Sequence, residues 1–124
     1  MRTLGRVSVL LAGALVAALA LAVAAAGGTG RAAQAPQRIT VTMTEFTFAL
    51  KPKTARRGVV VFTVVNRGAI AHDFRIAGKG TPAIAAGKRA TLRVTFKKAG
   101  RYPFVCTLPS HASAGMKGVL IVRP

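Results

Sequence analysis

The sequence predicts an all-β domain, an antiparallel sandwich or barrel of about seven or eight short strands. Apolar and polar residues alternate with period two in several segments after residue 37, as they do in half-buried strands. Turn-forming residues separate these segments at short intervals. After residue 37, no stretch of useful length repeats its apolar residues with the 3.6 period of a helix.

The first predicted strands show clear β character. In segment 39–44 apolar residues alternate with threonines, and segment 46–48 continues the alternation. Segment 59–65 is rich in β-branched residues and ends at the turn-forming residues 66–68. A short strand is predicted at 74–76.

Three further strands are predicted in the second half of the domain. Segment 91–96 alternates cleanly, so its three apolar residues share one face. Segment 100–106 contains Pro103, which has no backbone N–H to donate and therefore favours a sheet edge. Segment 119–122 is the last predicted strand.

The N-terminal residues have the pattern of an export signal. Arg2 and Arg6 precede an uncharged, apolar run at 7–26, which small residues follow. An uncleaved membrane tether through residues 7–26 is the alternative, because about 20 apolar residues can span a bilayer. Either reading places the rest of the chain outside the cytoplasm, in the periplasm or the extracellular space. The predicted organisation is a signal peptide or membrane anchor at 1–26, a linker at 27–37 and one domain at 38–124.

Composition removes several functional classes. The chain has 124 residues, with 19 Lys and Arg against two Asp and Glu, one Cys and two His. A single Cys excludes an internal disulfide framework and any Cys₄ metal site within this chain. Two His and two acidic residues, Glu45 and Asp73, are too few for carboxylate-pair hydrolysis or for multinuclear metal chemistry. A hydrophobic fraction of 52% excludes a disordered basic tail.

The remaining reactive side chains form one pattern. Cys106 ends a predicted strand, His111 follows after five positions and Met116 after five more, while His72 lies 34 residues upstream. A thiolate, two imidazoles and a weak thioether are the ligands of a blue-copper electron-transfer site. The sequence therefore predicts one copper ion bound by these four residues.

Other interpretations of the same residues remain open. A lone Cys in an apolar strand is usually a buried hydrophobic residue, and a lone Met usually fills a core. Zinc prefers several thiolates or carboxylates and makes no use of a thioether. A nucleophilic Cys–His pair would lack a third orienting group unless Asp73 supplied it. Copper is favoured because the only Cys and both His join a Met in a single pattern.

Residues 38–123 resemble a small cupredoxin of the plastocyanin–azurin type. The resemblance is carried by segments 45–48, 66–74, 106–111 and 115–118. It implies a Greek-key β-sandwich, which in this chain follows the signal or hydrophobic helix predicted from residues 1–26. The spacing between the ligands is closest to that of the long loop in rusticyanin-like members. The implied ligands are His72, Cys106 and His111 in the equatorial positions and Met116 in the axial position.

Two residues beside the ligands depart from the family pattern. Asp73 stands where the family often has Asn, and an ionised carboxylate accepts hydrogen bonds but donates none. Ser110 stands where long-loop relatives commonly have Gly between Pro and His. Both positions affect the reduction potential and the rigidity of the loop through hydrogen bonds around the metal. Neither departure removes a ligand.

The function predicted from this pattern is one-electron transport outside the cytoplasm, not enzymatic catalysis. One Cys excludes a binuclear copper domain, and two His are too few for a multicopper oxidase. A copper-binding or delivery protein, in which redox is incidental, is the alternative, although only three Met occur in the chain. A basic module for anionic surfaces is a third hypothesis. We expect no nucleic-acid partner, because the basic residues are spread along all the strands.

A patch for a redox partner is predicted around His111. The flanking residues Leu108, Pro109, Ala112 and Ala114 are uncharged, and in the resembled family such a patch forms the docking face. Removal of residues 1–26 would leave a net charge of +15. The expected redox partner is therefore an acidic protein or one that lies at an anionic membrane.

Overall fold

Two β-sheets packed face to face form the domain. The computed structural model describes Gly13 and residues 34–124, and residues Ala33–Pro124 form one compact unit. Apart from Gly13, the predicted signal peptide or anchor lies outside the described residues, as does most of the predicted linker. Within the described residues, no helix combines the length and the hydropathy that a bilayer crossing requires.

Within the described residues, nine strands build the two sheets, against the seven or eight predicted. They are β1 (Gln37–Thr44), β2 (Thr47–Lys51), β3 (Thr54–Arg56), β4 (Gly58–Asn66), β5 (Arg75–Ile76), β6 (Lys79–Gly80), β7 (Arg89–Phe96), β8 (Gly100–Val105) and β9 (Lys117–Arg123). The sequence missed β3 and β6, which are too short to show an alternation. It also missed the turn at Glu45 and Phe46, which divides the alternation predicted through residue 48 into β1 and β2. The all-β sandwich is confirmed.

The sheets are mixed, where the sequence predicted antiparallel pairing. The first sheet has the order β2-β1-β4-β7 and the second β3-β9-β8-β5-β6. Strands β1 and β4 pair in parallel, as do β3 and β9. After the β1–β2 hairpin the chain crosses to the second sheet at β3 and returns at β4. This crossover places β4 beside β1 in the same direction.

The core lies between the sheets and follows the period-two pattern. Strand β1 buries every second residue at Ile39, Val41 and Met43, and β7 buries its three alternating apolar residues in the same way. Phe62 packs against Phe74, with ring centroids 5.2 Å apart. Predicted faces and observed burial therefore agree in both strands.

Pro103 is not on an edge strand, which corrects the prediction. Strand β8 lies between β9 and β5. However, β5 pairs only with Phe104 and Val105, whereas Pro103 is paired on one side only, with Val119 of β9. The missing N–H is tolerated because β5 ends opposite Phe104 and does not extend to the proline.

Several loops meet at one end of the sandwich, which we call the ligand end. Strands β1, β4 and β8 end there, while β2, β7 and β9 begin there. The β1–β2 turn, the segment after β4 and the loop between β8 and β9 therefore come together. All four sequence-predicted ligands lie on the last two of these segments.

Candidate metal centre

Three predicted ligand side chains converge at the ligand end. The donor atoms of His72, Cys106 and His111 all lie within 4.8 Å of one another. The two Nδ1 atoms are 3.2 Å apart, and the Sγ of Cys106 is 3.4 Å from the Nδ1 of His111. Donor atoms at such separations can bind a single ion at metal–ligand distances of about 2.0–2.3 Å.

Met116 is the fourth residue of the group. Its side chain is fully buried, and its carbonyl accepts a 3.1 Å hydrogen bond from the N–H of Cys106. Its own N–H donates to the carbonyl of His111 at 3.0 Å. Thioether, thiol and two imidazoles are thus arranged as in a type 1 copper site.

Secondary structure explains why the ligands meet. Cys106 directly follows β8, and its N–H pairs with Met116, which directly precedes β9. The loop between them is folded by short-range bonds, from Ala114 N to His111 O at 3.1 Å and from Gly115 N to Ala112 O at 3.0 Å. A compact turn of this kind returns the chain and holds His111 above the sulfur.

His72 reaches the site through a small backbone bridge. Its N–H donates to the carbonyl of Ile84 at 3.2 Å, and its carbonyl accepts from the N–H of Ile84 at 2.7 Å. Its side chain is fully buried. The imidazole is therefore positioned by the framework before any metal binds.

Asp73 ties the two ligand segments together, although it is not the Asn that is common in the family. Its Oδ1 accepts from the N–H of Thr107 at 2.6 Å, and its Oδ2 accepts from the Thr107 hydroxyl. Its own N–H donates to the Sγ of Cys106 at 3.5 Å. The Asp73 carboxylate connects the two loops although it only accepts hydrogen bonds, whereas the family commonly uses an amide for this connection.

Ser110 occupies a backbone conformation that favours glycine. Its φ is 68°, in the left-handed region, which explains the Gly found at this position in long-loop relatives. The Ser110 carbonyl accepts from the N–H of Ala114 at 3.1 Å and from the Ser113 hydroxyl at 2.9 Å. These two bonds hold the turn despite the unfavourable φ.

Burial governs the chemistry of the thiol. It raises the pKa of Cys106 above its usual value, and the N–H of Asp73 opposes this shift. The metal-free protein at neutral pH therefore holds a protonated thiol. Because a metal ion binds the thiolate form of cysteine, its binding must displace this proton.

Glu45 is a residue of the site that the sequence analysis did not assign. It lies on the β1–β2 turn, and its Oε1 is 3.4 Å from the Nε2 of His72. The same oxygen accepts from the N–H of Ala69 at 2.6 Å and of Ile70 at 3.2 Å. These hydrogen bonds, with that from Ala69 the largest cause, lower the pKa of Glu45. A separation of 27 residues from His72 left no local signal for this contact.

Asn66 is a second unassigned residue and supports the loop that carries His72. It is fully buried, and its Nδ2 donates to the carbonyls of Ile70 and Ile84 at 2.8 Å each. Its Oδ1 accepts from the N–H of Gly68 at 2.9 Å. The sequence indicated only a turn at this position.

The predicted docking residues lie around a half-buried His111. Pro109 and Ala114 are exposed, while Leu108 and Ala112 are half-buried, and Leu108 also packs against the core. Phe46 adds apolar surface that the sequence did not assign. Its side chain is 37% exposed, and its ring meets the His111 ring edge-on at 5.3 Å between centroids.

Comparison with known proteins gives a consistent picture. A model of the cupredoxin-like domain matches residues 12–122. The copper-resistant cuproprotein CopI of Rubrivivax gelatinosus is 32% identical over 121 residues, covering 78% of this chain and 73% of that protein. Reduced auracyanin of Roseiflexus castenholzii superposes with a TM-score of 0.62 at 25% identity, covering 73% of this chain and all of the other. Auracyanin A of Chloroflexus aurantiacus, described as a "blue" copper protein, shares the fold, with a TM-score of 0.59, 20% identity and coverage of 72% and 100%. The chain belongs to the cupredoxin-like domain family.

Proposed function

We propose that this protein is a mononuclear type 1 (blue) copper protein that carries one electron at a time. The observation that carries the proposal is the convergence of the Cys106 sulfur and one ring nitrogen from each of two histidines within 4.8 Å, next to a buried Met116. Copper bound to such a set alternates between Cu(I) and Cu(II), since sulfur ligands suit the first and imidazoles accept the second.

The framework of the site suits electron transfer. Cys106 and His72 are fully buried and held by backbone bonds to Met116 and Ile84. Ligands fixed in this way rearrange little when the charge of the site changes by one. His111 is half-buried, so its ring offers a path from the site to the surface.

A carrier fits the site better than an enzyme does. Catalysis at a metal commonly needs an open coordination position for a substrate. Here all four proposed donor atoms come from the protein. Among the described residues, the three-ligand cluster at His72, Cys106 and His111 is the one group of His, Cys, Asp or Glu side chains that could hold a metal ion.

Copper binding and delivery is the second candidate function. It is favoured by the likeness to CopI, which is described as a copper-resistant cuproprotein. The burial of Cys106, His72 and Met116 opposes it, because ion exchange needs accessible ligands. Electron transport therefore stays the leading proposal.

We place this activity outside the cytoplasm, on the strength of the export pattern at 1–26. The finer expectation is a partner that is acidic or lies at an anionic membrane. Its support is the net charge of +17 and the apolar surface around His111.

Addition of Cu(II) to the purified protein tests the proposed function. We expect one equivalent to bind and to produce an intense visible band from charge transfer between the Cys106 thiolate and copper. Ascorbate should bleach the band reversibly. A colourless one-to-one Cu(II) complex would falsify the blue-copper assignment.

Met116→Leu should preserve the colour and raise the reduction potential. A weak axial ligand tunes the potential, and loss of an electron-donating sulfur removes stabilisation from Cu(II). Voltammetry of the variant beside the unmodified protein measures the shift. If the variant binds no copper, Met116 is a principal ligand and the assigned geometry is wrong.

Electron exchange with an acidic redox protein should slow with added salt and with Ala112→Asp. Electrostatic steering raises association rates by roughly 10–10³-fold and weakens as the Debye length falls to about 8 Å at 0.15 M salt. Ala112 lies next to His111, so the new carboxylate should also disturb close contact. Stopped-flow mixing measures both effects.

Ala99→Asp is the matched control for that experiment. Ala99 is exposed between β7 and β8, at the opposite end of the sandwich, and the substitution changes the net charge equally. It should slow exchange much less than Ala112→Asp and leave the copper spectrum unchanged. Rates that respond neither to salt nor to Ala112→Asp, or that Ala99→Asp lowers as much as Ala112→Asp does, would show that electrons leave through another face.

A further inference from the structure

We propose that the turn formed by Glu45 and Phe46 positions both histidine ligands, with Glu45 acting on His72 and Phe46 acting on His111. This inference rests on the proposed copper site and assigns it two further residues. The turn joins β1 and β2 and lies far from both histidines in sequence. Its two consecutive side chains reach the two rings from the same turn.

The first observation is the contact between carboxylate and imidazole. Glu45 Oε1 lies 3.4 Å from the Nε2 of His72, while the Nδ1 of His72 lies 3.2 Å from the Nδ1 of His111. A proton on Nε2 directed at the carboxylate leaves the Nδ1 lone pair free for a metal. The carboxylate thus selects the tautomer and orients the ring.

The carboxylate is itself held in place, even though 42% of the side chain is exposed. Its Oε1 accepts hydrogen bonds from the backbone N–H groups of Ala69 and Ile70. Both donors belong to the segment that leads to His72. Glu45 therefore connects the β1–β2 turn to this ligand-bearing segment as well as to the ring.

Gly68 provides an independent observation. A Cβ at this position would collide with the Oε1 of Glu45 and would lie 3.0 Å from its Cδ and 3.1 Å from the Nε2 of His72. An added side chain would therefore displace the Glu45 carboxylate, which is the free end of a flexible side chain, and would shift the His72 ring by a few tenths of an ångström. A side chain here would push the pair apart without changing any charge.

Phe46, the second residue of the turn, contacts the ring of His111. Its φ is 61°, a left-handed conformation that non-glycine residues adopt uncommonly and that is found at functional sites. Its ring meets His111 edge-on, at 90° and with 5.3 Å between centroids. This contact limits rotation of the imidazole that is exposed to partners.

The chemical consequence concerns the two oxidation states. A carboxylate that accepts a hydrogen bond from a ligand imidazole raises the basicity of that imidazole. Loss of such a partner typically lowers the metal affinity 10–100-fold. The more basic imidazole favours Cu(II) over Cu(I). Glu45 should therefore stabilise the oxidised protein and lower its reduction potential.

The test compares Glu45→Gln, Glu45→Ala and Gly68→Ala in the full chain. Cu(II) and Cu(I) affinities are measured by competition with chelators, and the potential by voltammetry. We expect Glu45→Gln to weaken Cu(II) binding about 10-fold and Glu45→Ala up to about 100-fold, with a smaller loss for Cu(I) and a higher potential. Gly68→Ala keeps the charge but separates the groups, so it should change the affinity ratio in the same direction.

Thr44→Ala is the matched control, because Thr44 bonds Thr47 across the same turn without contacting a histidine. It should leave the ratio of the two affinities unchanged. For the aromatic half, Phe46→Leu should shift the copper hyperfine splitting in the EPR spectrum of the Cu(II) protein, and Phe46→Tyr should restore it.

Equal weakening of Cu(I) and Cu(II) binding by Glu45→Ala, with no change in potential, would reduce Glu45 to a structural support and overturn the inference. An unchanged ratio in Gly68→Ala would show that the charge acts without the contact, which also overturns it. If Gly68→Ala does not fold, Glu45→Gln carries the test. A parent protein without the blue band would instead refute the proposed function, so the two failures are distinguishable.

Discussion

Cys106→Ser is expected to abolish the intense visible band while the protein stays folded. The band requires a thiolate bound to copper, and Cys106 is the only cysteine in the chain. Serine is similar in size but offers a hard oxygen that is protonated at neutral pH, so the charge-transfer transition is lost. Any Cu(II) that still binds should show the larger hyperfine splitting of ordinary copper complexes in its EPR spectrum.

Met43→Leu is the matched control for this variant. Met43 is a fully buried sulfur residue like Met116, but it lies within β1 and packs in the hydrophobic core. Its replacement should leave the visible band intact. Absorption and EPR spectra of both variants at equal copper loading provide the comparison, and a blue Cys106→Ser protein would refute the ligand assignment.

Asn66→Ala should lower the free energy of unfolding by about 2–4 kcal/mol. The side chain is fully buried and makes three hydrogen bonds, to the carbonyls of Ile70 and Ile84 and to the N–H of Gly68. Alanine removes all three bonds, each worth about 0.5–1.5 kcal/mol, and the Ile84 carbonyl keeps only its bond from the N–H of His72. The midpoint of urea unfolding of the metal-free protein measures the loss.

Gln37→Ala is the control that tests whether the stability lost in Asn66→Ala depends on the burial of the hydrogen bonds and not only on their number. Gln37 also uses its amide for two bonds to backbone, with the N–H and carbonyl of Arg56 at 2.7 Å each, but these bonds are exposed. Water can replace them, so the loss should stay below about 1 kcal/mol. Equal losses in the two variants would contradict the role assigned to Asn66.

Much of the sandwich could be predicted because its faces alternate in sequence. The buried positions of β1 and β7 were visible as apolar residues at every second position. Strands β3 and β6 have three and two residues, which is too short for a period to appear. The parallel pairing of β1 with β4 depends on where the chain crosses between sheets, and no local pattern records that step.

The convergence of the proposed ligands could be predicted from rarity and spacing. A single Cys and two His in the whole chain leave few combinations, and a short loop brings Cys106, His111 and Met116 together. The surroundings of the site could not be predicted in the same way. Glu45 reaches His72 across 27 residues, and Asp73 reaches Thr107 across 34. Such contacts depend on how the loops pack at the ligand end.

Repeated redox cycling in the presence of a Cu(I) chelator tests the proposal of an electron carrier most directly. The protein loaded with one equivalent of Cu(II) is reduced with ascorbate, exposed to the chelator, reoxidised and measured by its visible band. Because Cys106, His72 and Met116 are buried and held by the framework, the account predicts that the band returns to its initial intensity over many cycles. Rapid transfer of Cu(I) to the chelator, with loss of the band after the first reduction, would contradict electron transport and favour copper delivery.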